Sequence, residues 1–160
     1  IKFNKSVYIR LTGGPLNKQV YKKDYNFEIG KGIKLVDGDD VVIFSTGASV
    51  AHSLEAAKIL SKQKVSCSVI NLHTIKPLDK KIIVNEIRSK KLIVTTEEHN
   101  IIGGLGSAVS EVLSNLQLSS KLIRIGIEDY YGKGGTYDYL LKKHGLTSEG
   151  IVKRIKSEIE

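Results

Sequence analysis

The stretch Leu92-Ile-Val-Thr-Thr96, with the glycine turn Gly103-Gly-Leu-Gly106 behind it, decides the fold of this 160-residue chain. Its first five residues are apolar or β-branched, as in a strand that is buried on both faces. After the turn, apolar residues recur at the spacing of one helix face. They are Leu105, Ala108, Val109, Val112, Leu113 and Leu116. A buried strand followed by a turn and an amphipathic helix is the unit from which parallel sheets are built.

Four further β-rich runs surround this stretch. They lie at residues 30–36, 41–44, 65–71 and 121–127. The first of them alternates only weakly and ends at the turn Asp37-Gly38-Asp39, which is typical of an edge strand. A separate β-rich run, residues 6–11, stands apart near the start of the chain and is predicted to be a short strand.

Residues typical of helix ends mark the predicted helices. Asp79 is expected as an N-cap, Gly145 closes a helix near the end of the chain, and Thr147 opens the last helix. Strands that alternate with helices imply right-handed crossovers and helices on both faces of the sheet. The sequence therefore predicts a three-layer α/β/α sandwich with a five-stranded, mostly parallel sheet and one antiparallel edge strand.

The charge of the chain is strongly basic but carries few arginines. There are 25 Lys and Arg residues against 17 Asp and Glu, a formal net charge of +8, and only four of the 25 are arginines. Base readout and bidentate phosphate contacts favour arginine. The lysines are spread in pairs, such as Lys90 and Lys91, and we expect them to be solvated. No nucleic-acid partner is expected.

The sequence contains neither a membrane-spanning run nor a pair of cysteines, and both features bear on the cellular compartment. No run approaches the roughly 18 apolar residues of a membrane-spanning helix, so no membrane partner is expected. Cys67 is the single cysteine, which excludes a disulfide framework and favours a cytoplasmic protein. It alternates with Val65 and Val69 and is predicted to face a core. Because the chain begins at Ile1 and contains no methionine, we expect it to be part of a longer protein.

Two glycine turns are candidate anion sites. Thr46 and Gly47 open one helix, and Gly103, Gly104 and Gly106 open another, so both turns place backbone N–H groups where a phosphate would be favoured. Neither turn has the spacing of a P-loop or a Rossmann fingerprint. Glycines at such turns serve close helix–sheet packing equally well, and the sequence leaves both interpretations open.

Glu97-Glu98-His99 directly follows a predicted strand, at the sheet edge where open α/β proteins place ligands. A histidine beside carboxylates can act as a general base. Local hydrogen bonding or a subunit contact of these three residues, Glu98 and His99 included, is the structural alternative. The other histidines lie far apart in sequence, which does not favour a metal site.

Tyr130-Tyr131 precedes a glycine-rich run at residues 132–135 and indicates a surface loop. The loop either lines a binding face or connects layers.

The order of these motifs resembles the C-terminal domain of transketolase-type thiamine-diphosphate enzymes, over residues 7–155. The segments that carry the resemblance are Asp40-Val-Val-Ile-Phe-Ser-Thr-Gly47, Ile70-Asn-Leu-His-Thr-Ile-Lys-Pro-Leu-Asp79, Thr96-Glu-Glu-His99, Gly103-Gly-Leu-Gly-Ser-Ala-Val109 and Arg124-Ile-Gly-Ile-Glu-Asp129. Tyr8-Ile-Arg-Leu11 and Arg124-Ile-Gly-Ile127 look most similar to the C-terminal half of split transketolases.

The resemblance implies a domain division and a role. Residues 1–29 would hold the last strand of a preceding pyrimidine-binding domain plus a linker, and residues 30–160 the transketolase C-terminal domain. The parent enzyme would transfer a two-carbon ketol unit between sugars, with this domain mainly structural and dimer-forming. Its partners would be N-terminal thiamine-diphosphate-binding domains or an N-terminal subunit, in a homodimer or a dimer of heterodimers.

The resemblance also implies which chemistry is absent from this chain. The parent enzyme would bind thiamine diphosphate and Mg²⁺ through a Gly-Asp-Gly motif with a later Asn, and the nearest string here is Asp37-Gly38-Asp39 in a turn. The glutamate that activates the cofactor would lie before Ile1. We therefore expect no catalytic, cofactor-binding or metal-binding residue in this chain, and we expect the chain alone to be inactive.

One position departs from the family. Transketolases and 1-deoxyxylulose-5-phosphate synthases usually carry an arginine for the substrate phosphate where this sequence has Gly13. Either another residue makes that contact or the parent enzyme accepts a sugar without it. Alternative parents are 1-deoxyxylulose-5-phosphate synthase and the β subunit of a 2-oxoacid dehydrogenase. An alternative of another class is a free-standing nucleotide-binding module.

Overall fold

The computed structural model describes residues 4–11, 19–21, 24–117 and 120–159, so Gly13 lies outside the described residues. Within them, five strands form one sheet in the order β1-β3-β2-β4-β5. The strands are β1 (Ile33–Val36), β2 (Val41–Ser45), β3 (Cys67–Asn71), β4 (Leu92–Asn100) and β5 (Lys121–Ile127). Strand β1 is antiparallel to β3 and the other pairs are parallel. The predicted sheet is confirmed, with its antiparallel strand at the edge.

Helices cover both faces of the sheet. They are α1 (Ser49–Lys62), α2 (Lys80–Glu86), α3 (Leu105–Leu113), α4 (Tyr137–Lys143) and α5 (Ser148–Ile159). Helices α1 and α5 pack together on one face, and α2 and α3 pack together on the other. This arrangement confirms the predicted three-layer α/β/α sandwich.

Two hydrophobic cores lie on the two faces, and the central strands supply both. In β2, Val41 and Ile43 enter the core under α1 and α5, while Val42 and Phe44 enter the core under α2 and α3. All four side chains are fully buried. Because successive residues of a strand point to opposite faces, a strand covered on both sides must be apolar throughout. The unbroken apolar run of β2 is the consequence.

The predicted caps are present. The Asp79 carboxylate accepts a hydrogen bond from the Ile82 N–H at 3.1 Å and a second one from the Gly32 N–H at 2.9 Å. The Thr147 hydroxyl accepts from the Gly150 N–H at 3.1 Å. Gly145 has φ +68°, the left-handed conformation that closes a helix and that glycine adopts most easily.

Three details differ from the sequence prediction. Strand β4 runs on to Asn100 instead of stopping at Thr96, because a register shift between these two residues lets Asn100 pair with Ile127 of β5. Residues 6–11 form no strand with the rest of the described chain and are exposed. Lys90 is not solvated: it is buried, and its ammonium donates a hydrogen bond to the Gly38 carbonyl.

The described residues contain no helix that is both long enough and apolar enough to cross a lipid bilayer.

Candidate functional site

The carboxyl ends of β2 and β4 lie side by side at the centre of the sheet. From β2 the chain enters α1 on one face, and from β4 it enters α3 on the opposite face. The Thr46 N–H donates to the Thr96 carbonyl at 3.3 Å and holds the two strand ends together. Open α/β sheets bind ligands at such a switch point. All the predicted candidate residues within the described part of the chain lie at this edge.

Glu97 fills the N-terminus of α3. Its side chain is buried, and its two carboxylate oxygens accept hydrogen bonds from the Leu105 and Gly106 N–H groups, both at 2.7 Å. A negative charge in this position satisfies two orphan donors and complements the positive end of the helix dipole. The chain thus provides its own anion where the glycine turn suggested an external one.

The glycines of this turn let the strand, the carboxylate and the helix approach closely. A Cβ atom on Gly104 would lie 1.9 Å from the Glu97 Oε2 atom, and one on Gly106 would lie 2.7 Å from the Arg124 Cδ atom. For Gly104 and Gly106 this geometry favours the packing interpretation over an external anion. The Gly103 N–H is also engaged, since it donates to the Ser107 hydroxyl at 2.9 Å.

The N-terminus of α1 is different, because no side chain caps it. Gly47 has φ +59°, and Ala48 occupies the N-cap position without a capping hydrogen bond. Beneath this turn the hydroxyl of Ser53 bridges to Ser45 at 3.1 Å and to Thr96 at 2.8 Å. Thr46 and Gly47 therefore stay predicted candidates for an anion, whereas the α3 turn already holds a carboxylate.

Glu98 and His99 do not form an acid–base pair. Glu98 accepts a hydrogen bond from the Tyr137 hydroxyl at 2.6 Å, and burial followed by this bond raises the pKa of Tyr137. His99 is exposed, and its Nδ1 atom lies 3.0 Å from the Asn100 carbonyl oxygen. Among the described contacts none joins the His99 ring to Glu97 or Glu98. The arrangement favours the local hydrogen-bonding alternative.

The expected linker packs on the carboxyl end of β3. Asn71 donates through Nδ2 to the Tyr21 hydroxyl at 2.5 Å, and the Tyr21 ring stacks on Tyr25 with centroids 3.8 Å apart. Phe27 lies against the His73 ring at 4.5 Å. Burial lowers the pKa of His73, so this imidazole is neutral at pH 7. Part of the predicted linker is thus a cover over one end of the sheet.

The described residues do not fit thiamine diphosphate with Mg²⁺. Magnesium needs several oxygen ligands around it, and in the described part of the chain no three or more His, Cys, Asp or Glu side chains are grouped to hold a metal. In the Asp37-Gly38-Asp39 turn, the Asp37 carboxylate is paired with Lys34 at 3.1 Å, and this hydrogen bond lowers the pKa of Asp37. The prediction that the chain binds no cofactor stays a prediction.

Sequence reasoning allowed local hydrogen bonding at Glu97 but did not identify its capping of α3, and it missed the contacts of Tyr21. A strand-end glutamate eight residues before the first residue of a glycine-opened helix is compatible with capping, but the sequence does not show that the intervening loop turns back. Tyr21 carried no periodic pattern at all. Both contacts depend on loop paths that only the structure reveals.

Fold and edge together define a class: a doubly wound α/β/α domain with an antiparallel edge strand and a helix N-terminus closed by its own carboxylate. The chain belongs to the transketolase C-terminal domain family, whose sequence profile matches residues 30–151.

The relatives are longer proteins. A putative transketolase C-terminal section of Methanocaldococcus jannaschii is 47% identical over 139 residues, which is 87% of this chain and 43% of the relative. The 6-deoxy-6-sulfo-D-fructose transketolase subunit SqwH of a Clostridium strain is 40% identical over 147 residues, 92% of this chain and 45% of the relative. A 1-deoxy-D-xylulose-5-phosphate synthase of Caldanaerobacter subterraneus is 34% identical over 149 residues, 93% of this chain and 24% of the relative.

A solved structure shows the same fold. The chain described as a split gene transketolase in an inactive β4 tetramer superposes with a TM-score of 0.82 at 37% identity, over 89% of this chain and 46% of that one. The present chain thus spans less than half the length of the relatives that it matches.

Proposed function

We propose that this chain supplies the C-terminal domain of a transketolase-like enzyme that transfers a two-carbon ketol unit between sugars. The observation that carries the proposal is the family match over residues 30–151, joined to 47% identity with a transketolase C-terminal section. The domain's role is mainly structural and dimer-forming. Glu97 supports this role, because it occupies the α3 end of the switch point with a carboxylate from the chain itself.

The thiamine-diphosphate chemistry belongs to other domains in this proposal. The cofactor, held with Mg²⁺ by an N-terminal domain or subunit, supplies the carbanion chemistry. This chain supports that part of the enzyme by packing, in a homodimer or a dimer of heterodimers in the cytoplasm. Residues 6–11 support such packing, since Tyr8 and Leu11 are 89% and 83% exposed although both are large and apolar in part.

A second candidate is favoured by one comparison. Similarity to 1-deoxy-D-xylulose-5-phosphate synthase at 34% identity makes that enzyme the alternative parent. Gly13 bears on the substrate in either case. A parent enzyme without an arginine at this position would bind the terminal group of its sugar substrate through other residues. One relative is named for 6-deoxy-6-sulfo-D-fructose, a sugar that carries a sulfo group at carbon 6. We would measure kcat/KM for phosphorylated and unphosphorylated acceptors on the complete enzyme. A preference for the phosphorylated sugar would show that another residue contacts the phosphate, and no preference would show that the enzyme does without this contact.

Calorimetric titration of the 160-residue chain with thiamine diphosphate and Mg²⁺ tests whether the cofactor binds outside this chain, as proposed. We expect no binding, and micromolar saturable binding would contradict the proposal. Titration with nucleotides is the matched experiment for a free-standing nucleotide-binding module. The chain alone should show no ketol transfer from a ketose to an aldose. Transfer should appear when the N-terminal portion of the enzyme is added. Formation of 1-deoxy-D-xylulose 5-phosphate instead would identify the alternative parent.

A further inference from the structure

The turn between β2 and α1, residues 46–49, presents three main-chain N–H groups at the N-terminus of α1. Among the hydrogen bonds of the described residues, none is donated by the N–H groups of Gly47, Ala48 or Ser49. Gly47 is left-handed, with φ +59°, whereas Ala48 is right-handed, with φ −66° and ψ −25°. Successive residues of opposite hand turn their N–H groups into one concavity, and such concavities bind anions. The 14-residue helix behind it adds the positive end of its dipole.

Ser49, the first residue of α1, gives an independent indication of a ligand. The residue is only 1% exposed, and its hydroxyl has no hydrogen-bond partner in the described part of the chain. Because the Cα–Cβ bonds of a helix tilt toward its N-terminus, this hydroxyl leans toward the three N–H groups. Buried hydroxyls in native proteins are nearly always bonded. The Ser49 hydroxyl is therefore placed to bind a group held in the concavity.

The hydroxyls beneath the turn differ from Ser49, because they satisfy one another. The Ser53 hydroxyl donates to the Ser49 carbonyl at 2.9 Å, and the Thr96 hydroxyl donates to the Ser45 hydroxyl at 2.7 Å. The Ser49 hydroxyl takes no part in this network. Above the network the turn is open, since Gly47 is exposed and no atom lies within 4 Å of a Cβ atom built on it. A small ligand can reach the N–H groups from solvent.

Asn71 adds a group beside the turn that can only accept. It pairs with Ser45 in the register of β3 and β2, and it follows Cys67 and Val69 on the α1 face of the sheet. Its Nδ2 atom donates to Tyr21, whereas its buried Oδ1 atom has no partner among the residues that the structure describes. An amide oxygen accepts hydrogen bonds and repels an anion that has no proton to donate. Hydrogen phosphate keeps a proton at neutral pH, but sulfate keeps none.

We propose that the turn at residues 46–49, together with Asn71, binds a phosphate group that carries a proton. The charged oxygens of the phosphate accept from the N–H groups of residues 47–49 and from the Ser49 hydroxyl, and its own hydroxyl donates to the Asn71 Oδ1 atom. The net charge of +8 attracts an anion to the chain. This site goes beyond the proposed function, because it needs neither thiamine diphosphate nor another domain.

Calorimetric titration of the full 160-residue chain with inorganic phosphate at neutral pH tests the site. We expect saturable binding with a Kd of about 1 mM or lower. Ser49→Ala should raise this Kd about tenfold, because a hydrogen bond to a charged oxygen is lost. The variant should melt no lower than the wild type, since it removes a buried hydroxyl that has no partner in the described chain. The matched control is Ser110→Ala, whose hydroxyl is already bonded to the Gly106 carbonyl at 2.7 Å, and its Kd should be unchanged.

Two further titrations locate the site and identify the ligand. In NMR spectra the amide signals of Gly47, Ala48 and Ser49 should shift with the calorimetric Kd. Sulfate should bind at least about tenfold more weakly than phosphate, because it has no proton for Asn71. Glycerol 1-phosphate distinguishes the two sources of a phosphate group. Tighter binding than inorganic phosphate identifies an esterified phosphate, and weaker binding identifies free phosphate.

The site is overturned by an absence of saturation up to about 10 mM phosphate, by an unchanged Kd in a folded Ser49→Ala variant, or by shifts confined to amides outside the turn. Sulfate that binds as tightly as phosphate overturns the contact with Asn71, and with it the protonated ligand. None of these results bears on the proposed enzyme class, which is tested by cofactor titration and ketol transfer.

Discussion

At the scale of single residues, Glu97 joins a strand to a helix through one carboxylate. Its position at the end of β4 and its bonds to two N–H groups of α3 make it a cap supplied from another element. Most N-caps are neighbours of the helix they cap, whereas this one reaches across an intervening turn. Loss of the carboxylate leaves two buried donors without an acceptor.

Replacement Glu97→Ala should destabilise the fold strongly. Each buried N–H left unsatisfied costs about 1–3 kcal/mol, and the cavity beneath Gly104 adds to that loss. Urea unfolding followed by circular dichroism measures the change in the free energy of unfolding. Glu98→Gln is the control, because the amide oxygen of the new side chain can still accept the Tyr137 hydroxyl, and it should stay within about 0.5 kcal/mol of the wild type. Equal stability of the two variants would refute the capping role.

Cys67 is predicted to be unreactive and to make the fold sensitive to alkaline pH. Burial raises the pKa of its thiol to about 12, so the folded state holds the proton that the unfolded state releases above its ordinary pKa of about 8.5. The folded state then binds more protons, and stability falls as pH rises. The stabilising contribution is complete below about pH 8.5, and about 2 kcal/mol of it should be lost by about pH 10.

The measurement is the free energy of unfolding between about pH 7 and pH 10 for the wild type and for Cys67→Ala. The alanine variant should show a flatter pH dependence, whatever its stability at neutral pH. Thiol labelling of the native protein at about pH 8 should be slow and should become fast in denaturant. Identical pH profiles, or rapid native labelling, would show that the thiol is accessible.

At the scale of elements, the apolar face of α3 becomes less buried from the start of the helix to its end. Leu105 and Val109 are buried, whereas Val112 and Leu116 are only partly buried against the same core. Val112 also lines an open groove of about 690 Å³ between α3 and residues 75–80. The predicted face is therefore correct, but its two ends differ in burial.

This gradient predicts an order of stability. Val109→Asp puts an unpaired charge into a closed core and should cost about 3–5 kcal/mol, a large share of the roughly 5–15 kcal/mol by which a folded domain is stable. Val112→Asp places its carboxylate at the groove, where water reaches it, and should cost clearly less. Thermal melting of both variants checks the order. A Val112 variant less stable than the Val109 variant would mean that the groove is closed in solution.

The sequence predicted the elements well where periodicity carried the information. The two-sided strand β2 and the helical stripe of α3 follow from side-chain spacing alone. The extension of β4 to Asn100 did not, because a register shift breaks the alternation there. The burial of Lys90 was missed because its carbonyl partner, on Gly38, is supplied by a distant turn. At the candidate site, position at the sheet edge was predictable, but the partners of Glu97 and Glu98 were not.

At the scale of the whole molecule, the edge strand and helix α2 are tied to each other at both ends. Asp79 at the start of α2 holds the Gly32 N–H just before β1, and Glu86 at the end of α2 is paired with Lys34 of β1 at 2.8 Å. The two elements have no shared main-chain ladder. Side-chain contacts therefore connect the edge of the sheet to one of its covering layers.

The double role of Asp79 has a consequence for the order in which the molecule opens. Since one carboxylate holds the amides of both Gly32 and Ile82, fraying of α2 releases the chain before β1, and the reverse also holds. In native-state hydrogen exchange, these two amides should open with the same free energy, as members of one cooperative unit. Asp79→Ala should accelerate exchange at both, while amides in the central strand β2 keep the protection set by global unfolding.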